Sequence, residues 1–437
     1  MNVLIGVHQF FPHHYAGTER YVLNLARQLQ HMGHGVHVLT YDMGRRGKQR
    51  HEPSGLYLHE YDHEGIAVTA LHHPEFPDFD FEMRDARFYE AARALMQQRE
   101  IDLYHCAHPF RIGGSVFAAR DLGLPVVLML TDYWLLCPMG ILRRSDNVLC
   151  EGPDAGTNCT RHCYAGGSRD RFEARAAQAE ALAGAAQAIL SPSRFLISVF
   201  RYNRFPHAHR IRHAPHGFDY SLVRDLHGHT LDPEAVTLGY IGTIQYHKGV
   251  HVLVEGFRKV EAPNLRLKVW GGSFHEKQYE RKVRASAAGD PRIEFLGPYA
   301  HDALRGVLEQ VDLVVVPSVW YENAPLTITS ALAAGVPVIA SDIGGMAEFV
   351  QDGVNGLLFA MGNAGDLARR LAQVARDPEL VRRLRDGITP PPGLEEEAFR
   401  MERLYRGLLD GGEAPRGAGA QDVGAVVEGA ENARADP

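Results

Sequence analysis

The sequence predicts an α/β protein of two doubly wound, Rossmann-like domains facing each other across a cleft. Short apolar strands alternate with amphipathic helices from one end of the chain to the other, the pattern of parallel sheets covered on both faces. The pattern starts afresh after a polar, His-rich passage, APHGFDYSLVRDLHGH, with the composition of a linker. A length of 437 residues, 45% hydrophobic and 23% charged, provides for two cores.

Strands of the first half are expected near NVLIGV, GVHVLTY, residues 103–105, PVVLMLT and residues 188–190, giving a domain at 1–215. The polar passage makes a linker at 216–235. Strands near VTLGYIG, LRLKVWG, IEFLG, DLVVVP and PVIAS then give a second domain at 236–392. LEEEAFRMERLYRGLL has helical spacing and makes a last helix over 393–410. Residues 411–437, rich in Gly, Ala and acids without apolar period, are expected to be disordered.

A net charge of -7 at pH 7 argues against nucleic-acid partners and for small molecules. MNVLIGVHQFF has no basic region, and its apolar run is too short for a signal-peptide core or a membrane span. No later run is long enough to span either, so a cytoplasmic protein is expected, with room for peripheral membrane contact. The run RRGKQR, Arg45 to Arg50, can attract an anionic lipid-linked acceptor or a membrane surface, and it also reads as a solvated loop. With Arg143 and Arg144 it makes the first domain the better candidate for acceptor binding.

Ligands of open parallel sheets sit beyond the carboxyl ends of the strands. In GYIGTIQYHKGV a strand ends at Gly242, followed by Thr243, and a helix starts near Lys248 and Gly249. Glycine lets backbone approach phosphate, and the lysine and helix start add positive potential, so a diphosphate fits; an ordinary turn with a surface lysine reads the same way. In AGTERYVLNLARQL the first loop enters a helix at Gly17, Thr18 and Glu19, a second anion or sugar site unless Thr18 is only a cap.

YENAPLTITSALAAG and SDIGGMAEF each follow a buried strand, which brings Glu322 and the Gly344-Gly345 loop to the same rim as Lys248. The Glu322 carboxylate can accept from sugar hydroxyls, and the amides of Asn323, Ala324 and Leu326 are free for phosphate or hydroxyl oxygens. Pro325 near a helix start costs no hydrogen bond.

Four of five cysteines, Cys137, Cys150, Cys159 and Cys163, lie in a Gly/Pro/Asn-rich insert directly after TDYW, Thr131 to Trp134. A long loop without an apolar core needs a staple, and cytoplasmic disulfides are disfavoured, so thiolates around a metal centre are expected. Zinc and a four-iron four-sulfur (4Fe-4S) cluster both need four thiolates, and free thiols in a loop are the simpler alternative. Cys106 reads as a buried small hydrophobe, and most of the 24 histidines as core or surface residues.

GYIGTIQYHKGV, VPSVWYENAPLTI and GVPVIASDIGGMAEFVQDGVNGLLF, in this order and spacing, resemble the family 4 glycosyltransferases of GT-B fold. HQFFPHHYAGTERYVLNLARQL and PSRFL resemble the same family's first domain, so the resemblance covers nearly the whole chain except the tail. It implies transfer of a sugar from a nucleotide-sugar donor to a glycan or lipid-linked acceptor with retention of configuration, in surface polysaccharide or glycoconjugate biosynthesis. It also implies that no metal is essential at the diphosphate. It places Glu322 on the donor sugar hydroxyls, Lys248 and the loop amides on the diphosphate, and His13, His14 and His216 near the cleft. Asp132 would orient the acceptor or the transferred sugar, although a turn aspartate reads equally well.

A subgroup of the family has a similar cysteine insert, which leans its centre toward iron and sulfur in a structural role. The sequence departs from the family where an arginine usually follows Gly242 and here is Thr243, and where a second glutamate usually binds the ribose and here is Ser330. Many members also have a histidine where Thr131 stands. The first two departures leave a rival, a catalytically silent nucleotide-sugar-binding relative; a pyridoxal-phosphate phosphorylase finds no supporting lysine context.

Overall fold

The computed structural model describes residues 1–43, 50–223, 226, 231–273 and 276–411. Most of the basic run, the tail from 412 and part of the linker (224–225 and 227–230) lie outside the described residues.

Runs such as NVLIGV and LVVV lack polar alternation because helices cover both faces of their sheets. The first sheet contains β1 (Asn2–Val7), β2 (Gly35–Tyr41), β3 (Arg50–His51), β4 (Tyr57–His63) and β5 (Ile66–His72). It continues through β6 (Leu103–Cys106), β7 (Val126–Met129), β8 (Ala188–Ser191) and β9 (Ile211–His213). Its order is β3-β4-β5-β2-β1-β6-β7-β8-β9, parallel except where β4 pairs antiparallel with β3 and β5. That hairpin edge was not expected from the sequence, because YLHEYDH exposes one face and carries His, Glu and Asp in a strand.

The second sheet is wholly parallel. It contains β10 (Val236–Ile241), β11 (Leu265–Trp270), β12 (Ile293–Gly297), β13 (Leu313–Val316), β14 (Val338–Ser341) and β15 (Gly356–Phe359), in the order β12-β11-β10-β13-β14-β15. The first half carries helices α1 (Gly17–His31), α2 (Ala86–Gln98), α3 (Gly113–Asp121), α4 (Thr157–His162), α5 (Arg169–Gly184) and α6 (Arg194–Tyr202). The second carries α7 (Val250–Arg258), α8 (Lys277–Ala287), α9 (Leu304–Leu308), α10 (Leu326–Ala333), α11 (Met346–Phe349), α12 (Ala364–Arg376) and α13 (Glu379–Asp386). No helix among the described residues is long and apolar enough to cross a membrane.

The last helix, α14 (Leu394–Leu409), returns to the first half. Ala398, Met401, Leu404, Tyr405 and Leu408 join the core beneath α1, and the Tyr405 hydroxyl bonds His105 Nδ1 in the middle of β6. Side chains also join the two halves. Asn323 Nδ2 donates to the Thr131 carbonyl at 2.9 Å, and Ser193 Oγ donates to Asn323 Oδ1. The Glu348 carboxylate accepts the amides of Arg194 and Phe195 at the start of α6, supplying acceptors that a helix N-terminus lacks.

Because Tyr405 is fully buried in the first core, Tyr405→Ala is expected to cost roughly 3–5 kcal/mol, the usual range for truncating a buried aromatic. Denaturant unfolding checks this, and the loss should appear in the transition of the first half although the residue lies at the far end of the chain.

Candidate functional site

The candidate rim of the second half is built where β10, β13 and β14 end. After β10 the chain turns through Thr243 and a short 3-10 turn, Tyr246–Lys248, to Gly249. Gly249 has φ +70°, and a Cβ there would stand 1.8 Å from the Pro317 carbonyl oxygen, so only glycine lets α7 begin this close to the next loop. The turn aims Lys248 at Glu322, with Nζ 2.7 Å from Oε1, and Ser318 Oγ donates to the same oxygen at 2.9 Å. The Gly344-Gly345 loop folds under them: the Gly345 amide donates to the Glu322 carbonyl at 2.7 Å, and a Cβ on Gly345 would lie 1.7 Å from the Asn323 carbonyl oxygen.

Burial alone would raise the Glu322 carboxyl, but the Lys248 ammonium and the hydrogen bonds from Lys248 and Ser318 outweigh it and hold the group below its ordinary 4.5. A buried ionised carboxylate therefore faces a partly exposed ammonium. Beside them the amides of Asn323, Ala324 and Leu326 donate no hydrogen bond among the described residues, Leu326 because it opens α10 and the other two because they precede its N-cap. Pro325 is the N-cap of that helix, and Thr327 Oγ1 ties it to the Ile241 carbonyl at the end of β10.

Thr243 presents its carbonyl to the Tyr240 hydroxyl at 2.7 Å, and Ser330 sits buried within α10 among Ile328, Thr329 and Ala331. Gly17, first residue of α1, comes opposite: a Cβ on it would lie 3.6 Å from Leu326 Cδ1. The N-termini of α1 and α10 thus meet across the cleft.

On the other wall Asp132 follows β7. Its Oδ1 accepts the Trp134 amide at 2.8 Å and its Oδ2 lies 2.8 Å from His108 Nε2. The His108 ring is 4.3 Å from that of His8, whose Nε2 lies 3.5 Å from Glu19 Oε1. Burial pushes the Glu19 carboxyl up, while burial and then His108 push His8 well down. His8 and His108 were not singled out from the sequence; the available signal was a histidine within two residues of a strand's carboxyl end. His216, which the resemblance places near the cleft, bonds Glu397 of α14 at 3.0 Å and packs 4.1 Å from the Tyr21 ring. His13 and His14 line a cavity of about 210 Å³ with Phe10, Phe11, Thr40 and Asp42.

Cys137, Cys150, Cys159 and Cys163 do share one pocket, but it leaves only about 10 Å³, space for about one water. Among the described residues no group of three or more His, Cys, Asp or Glu is arranged to hold a metal ion. The zinc or 4Fe-4S centre expected from the spacing therefore has no formed ligand set. Burial and the neighbouring thiols push Cys150 to about 11 and Cys159 to about 12. Cys106 is fully buried in β6 and raised by burial to about 12, as a small core residue should be. The insert also reaches the rim of the second half, where the Arg143 guanidinium stacks 5.0 Å from the Tyr246 ring.

Residues 15–222 match the family described as Glycosyltransferase Family 4, and residues 226–388 match Glycosyl transferases group 1. An uncharacterized glycosyltransferase of Methanocaldococcus jannaschii is 31% identical over 147 residues, 33% of this chain and 37% of that protein. The D-inositol 3-phosphate glycosyltransferase of Rhodococcus opacus is 32% identical over 188 residues, 41% of each chain. The match thus spans about two fifths or less of the length of these curated relatives. Two solved structures share the fold. Anabaena HepE in complex with UDP and glucose has a TM-score of 0.66 at 16% identity, covering 92% of this chain and 98% of that one. Sucrose-phosphate synthase from Thermosynechococcus elongatus has 0.66 at 20%, covering 94% and 100%.

The Lys248–Glu322 pair makes a stability prediction with a sign. Lys248→Met strands a buried carboxylate and should cost roughly 3–5 kcal/mol, most of it restored in Lys248→Met/Glu322→Gln. Because the Glu322 carboxyl is depressed, its stabilisation is full above pH 4.5 and is lost as pH falls through its lower folded value. Urea unfolding of the three proteins between pH 3 and 7 checks both statements.

Proposed function

On the premise that this chain joins a family 4 glycosyltransferase domain to a group 1 glycosyl transferase domain in the GT-B fold, we propose that it is a retaining glycosyltransferase using a nucleotide-sugar donor. The observation that carries this is the Glu322–Lys248 pair set beside the free amides at the start of α10. A carboxylate accepts sugar hydroxyls, an ammonium and amides take phosphate oxygens, and the two kinds of group lie where a sugar joins its diphosphate. HepE, which shares the fold, holds UDP and glucose, in keeping with a nucleotide-sugar donor.

In this reading 236–392 binds the donor, and 1–215 with α14 binds a glycan or lipid-linked acceptor for surface polysaccharide or glycoconjugate synthesis. Gly17 and Gly242 let backbone approach the donor, and Asn323, Ala324, Pro325 and Leu326 form the loop around its phosphates. Asp132, held by His108 and the Trp134 amide, orients the hydroxyl that attacks. The bond from the anomeric carbon to the diphosphate breaks as the new one forms on the same face, and the departing phosphate oxygen takes the acceptor's proton. The protein's work is positioning and charge stabilisation.

The cysteine insert acts as a structural element beside the cleft. Iron, sulfide and zinc analysis of anaerobically purified protein tests for a centre on it; neither metal leaves a loop packed by its thiols.

Hydrolysis of UDP-, GDP-, ADP- and TDP-sugars, with thermal-shift titration of the free nucleotides, tests the reading. Turnover of at least one donor is expected. Binding without turnover of any donor or acceptor indicates a silent relative, a reading favoured by Thr243 and Ser330, and stabilisation by no nucleotide removes the donor site. Glu322→Ala should nearly abolish transfer, and Ser330→Glu should lower the nucleotide Kd, since a carboxylate accepts both ribose hydroxyl protons where serine offers one short oxygen.

A further inference from the structure

The cavity between the loop after β1, the end of β2 and the β4–β5 hairpin has no assigned role in the transfer described above. Its floor is aromatic and closed, with Phe10, Phe11 and Tyr41 buried. The rest of its wall is within reach of a ligand: Tyr61, His14 and Asp42 are half-buried and His13 is exposed. The Tyr61 hydroxyl donates to the Phe11 carbonyl at 2.6 Å and the ring stacks 5.4 Å from His59, which fixes it as part of the wall. Burial holds His14 below its ordinary 6.5, so at neutral pH its ring offers one donor nitrogen and one acceptor.

These walls select a ligand. At about 210 Å³ the space is smaller than the roughly 300–1,000 Å³ of pockets that enclose a drug-sized molecule, and it suits a single ring. Among the described residues no Lys or Arg lines it, and the Asp42 carboxylate repels a phosphate. A hydrocarbon chain would take water from that carboxylate and from the imidazoles and return no hydrogen bond. A sugar ring answers both surfaces, its hydroxyls donating to the carboxylate and pairing with imidazole nitrogens while its C–H faces pack on aromatic rings.

The position of the cavity says which ring. The loop that forms one wall runs on into Gly17, which meets Leu326 across the cleft. Asp132 follows β7, three intervals from β2 in the order β2-β1-β6-β7, roughly 14 Å at about 4.8 Å per interval. One ring cannot fill the cavity and also place its hydroxyl on Asp132.

We propose that this cavity is a distal acceptor subsite, holding a sugar ring of a glycan whose attacking hydroxyl belongs to another ring nearer Asp132. The proposal rests on reading the first half as the acceptor side, and it narrows the acceptor to an oligosaccharide.

The test is calorimetric titration of the full chain with glucose, galactose, mannose and the di- and trisaccharides built from them, the donor site being filled with whichever nucleotide raises the melting temperature. At least one oligosaccharide should bind tenfold or more tighter than its parent monosaccharide. Asp42→Ala should weaken that oligosaccharide at least tenfold, the size of a hydrogen bond to a charged group, and leave the monosaccharide Kd unchanged. His13→Ala, which truncates an exposed side chain and leaves the core intact, should remove part of the same gain. A wild-type melting shift with the nucleotide shows that each variant is folded. Monosaccharides binding as tightly as oligosaccharides, a full preference kept by both variants, or binding of no saccharide in the set overturns the proposal. So does octyl glucoside displacing the oligosaccharide where glucose does not, since the occupant is then an alkyl chain. If the nucleotide binds while the saccharide results fail, the subsite falls and the donor reading stands; if no nucleotide binds while the Asp42-dependent preference appears, the donor reading falls and the sugar site stands.

Discussion

One carboxamide sits at the centre of the contacts that hold the two halves in register. Asn323 follows the carboxylate of the candidate rim in sequence, yet its side chain is spent on the other half, accepting from Ser193 and donating to the backbone at Thr131. A loop whose amides donate no hydrogen bond among the described residues is thus fastened by its side chain to the strand end that leads into Asp132. At 8% exposure these bonds are shielded from water, which makes leaving either end unpaired expensive. The distance between the two walls of the cleft is therefore set within the site itself.

The same economy explains the charges. Parallel strands end with unpaired backbone groups and helices begin with unpaired amides, so the cleft between two such sheets is electropositive before any side chain is counted. Three acids at these ends are held by specific partners, Glu322 by Lys248 and Ser318, Glu348 by the amides of α6 and Asp132 by the Trp134 amide with His108 alongside, whereas the Glu19 carboxylate is buried without a hydrogen bond among the described residues. Bases are less completely matched, Arg111 above all.

What the sequence made legible follows the range of the interactions concerned. The apolar strands, and the meeting of Lys248, Glu322 and Gly345 on one rim, could be read because each of these residues lies four to seven positions past a strand end. Asp132 could be read for the same reason, but its bond to His108 joins two strand ends 24 residues apart, and no local pattern marks it. The hairpin β4–β5 was missed because its polar alternation looks like a loop. The cysteine spacing correctly brought four thiols to one pocket, but spacing says nothing of the angles or distances a metal demands. The partner of His216, Glu397, lies 181 positions later, beyond the reach of any local pattern.

That long-range return also constrains how the halves can move. Because α14 packs on the first core, the chain crosses between the halves twice, once near Phe218 and once near Gly393. These crossings run side by side, the Phe218 amide donating to the Pro392 carbonyl at 2.8 Å and Gly217 packed so closely on Gly393 that a Cβ would lie 2.4 Å from its carbonyl oxygen. With both covalent connections in one place, rotation about them is the opening motion the chain leaves available. Asn323–Ser193, Glu348–α6 and Arg143–Tyr246 all span the halves away from that axis, so opening must break them together. A ligand engaging both walls would add to the same set of bonds, so its binding energy would favour the closed arrangement.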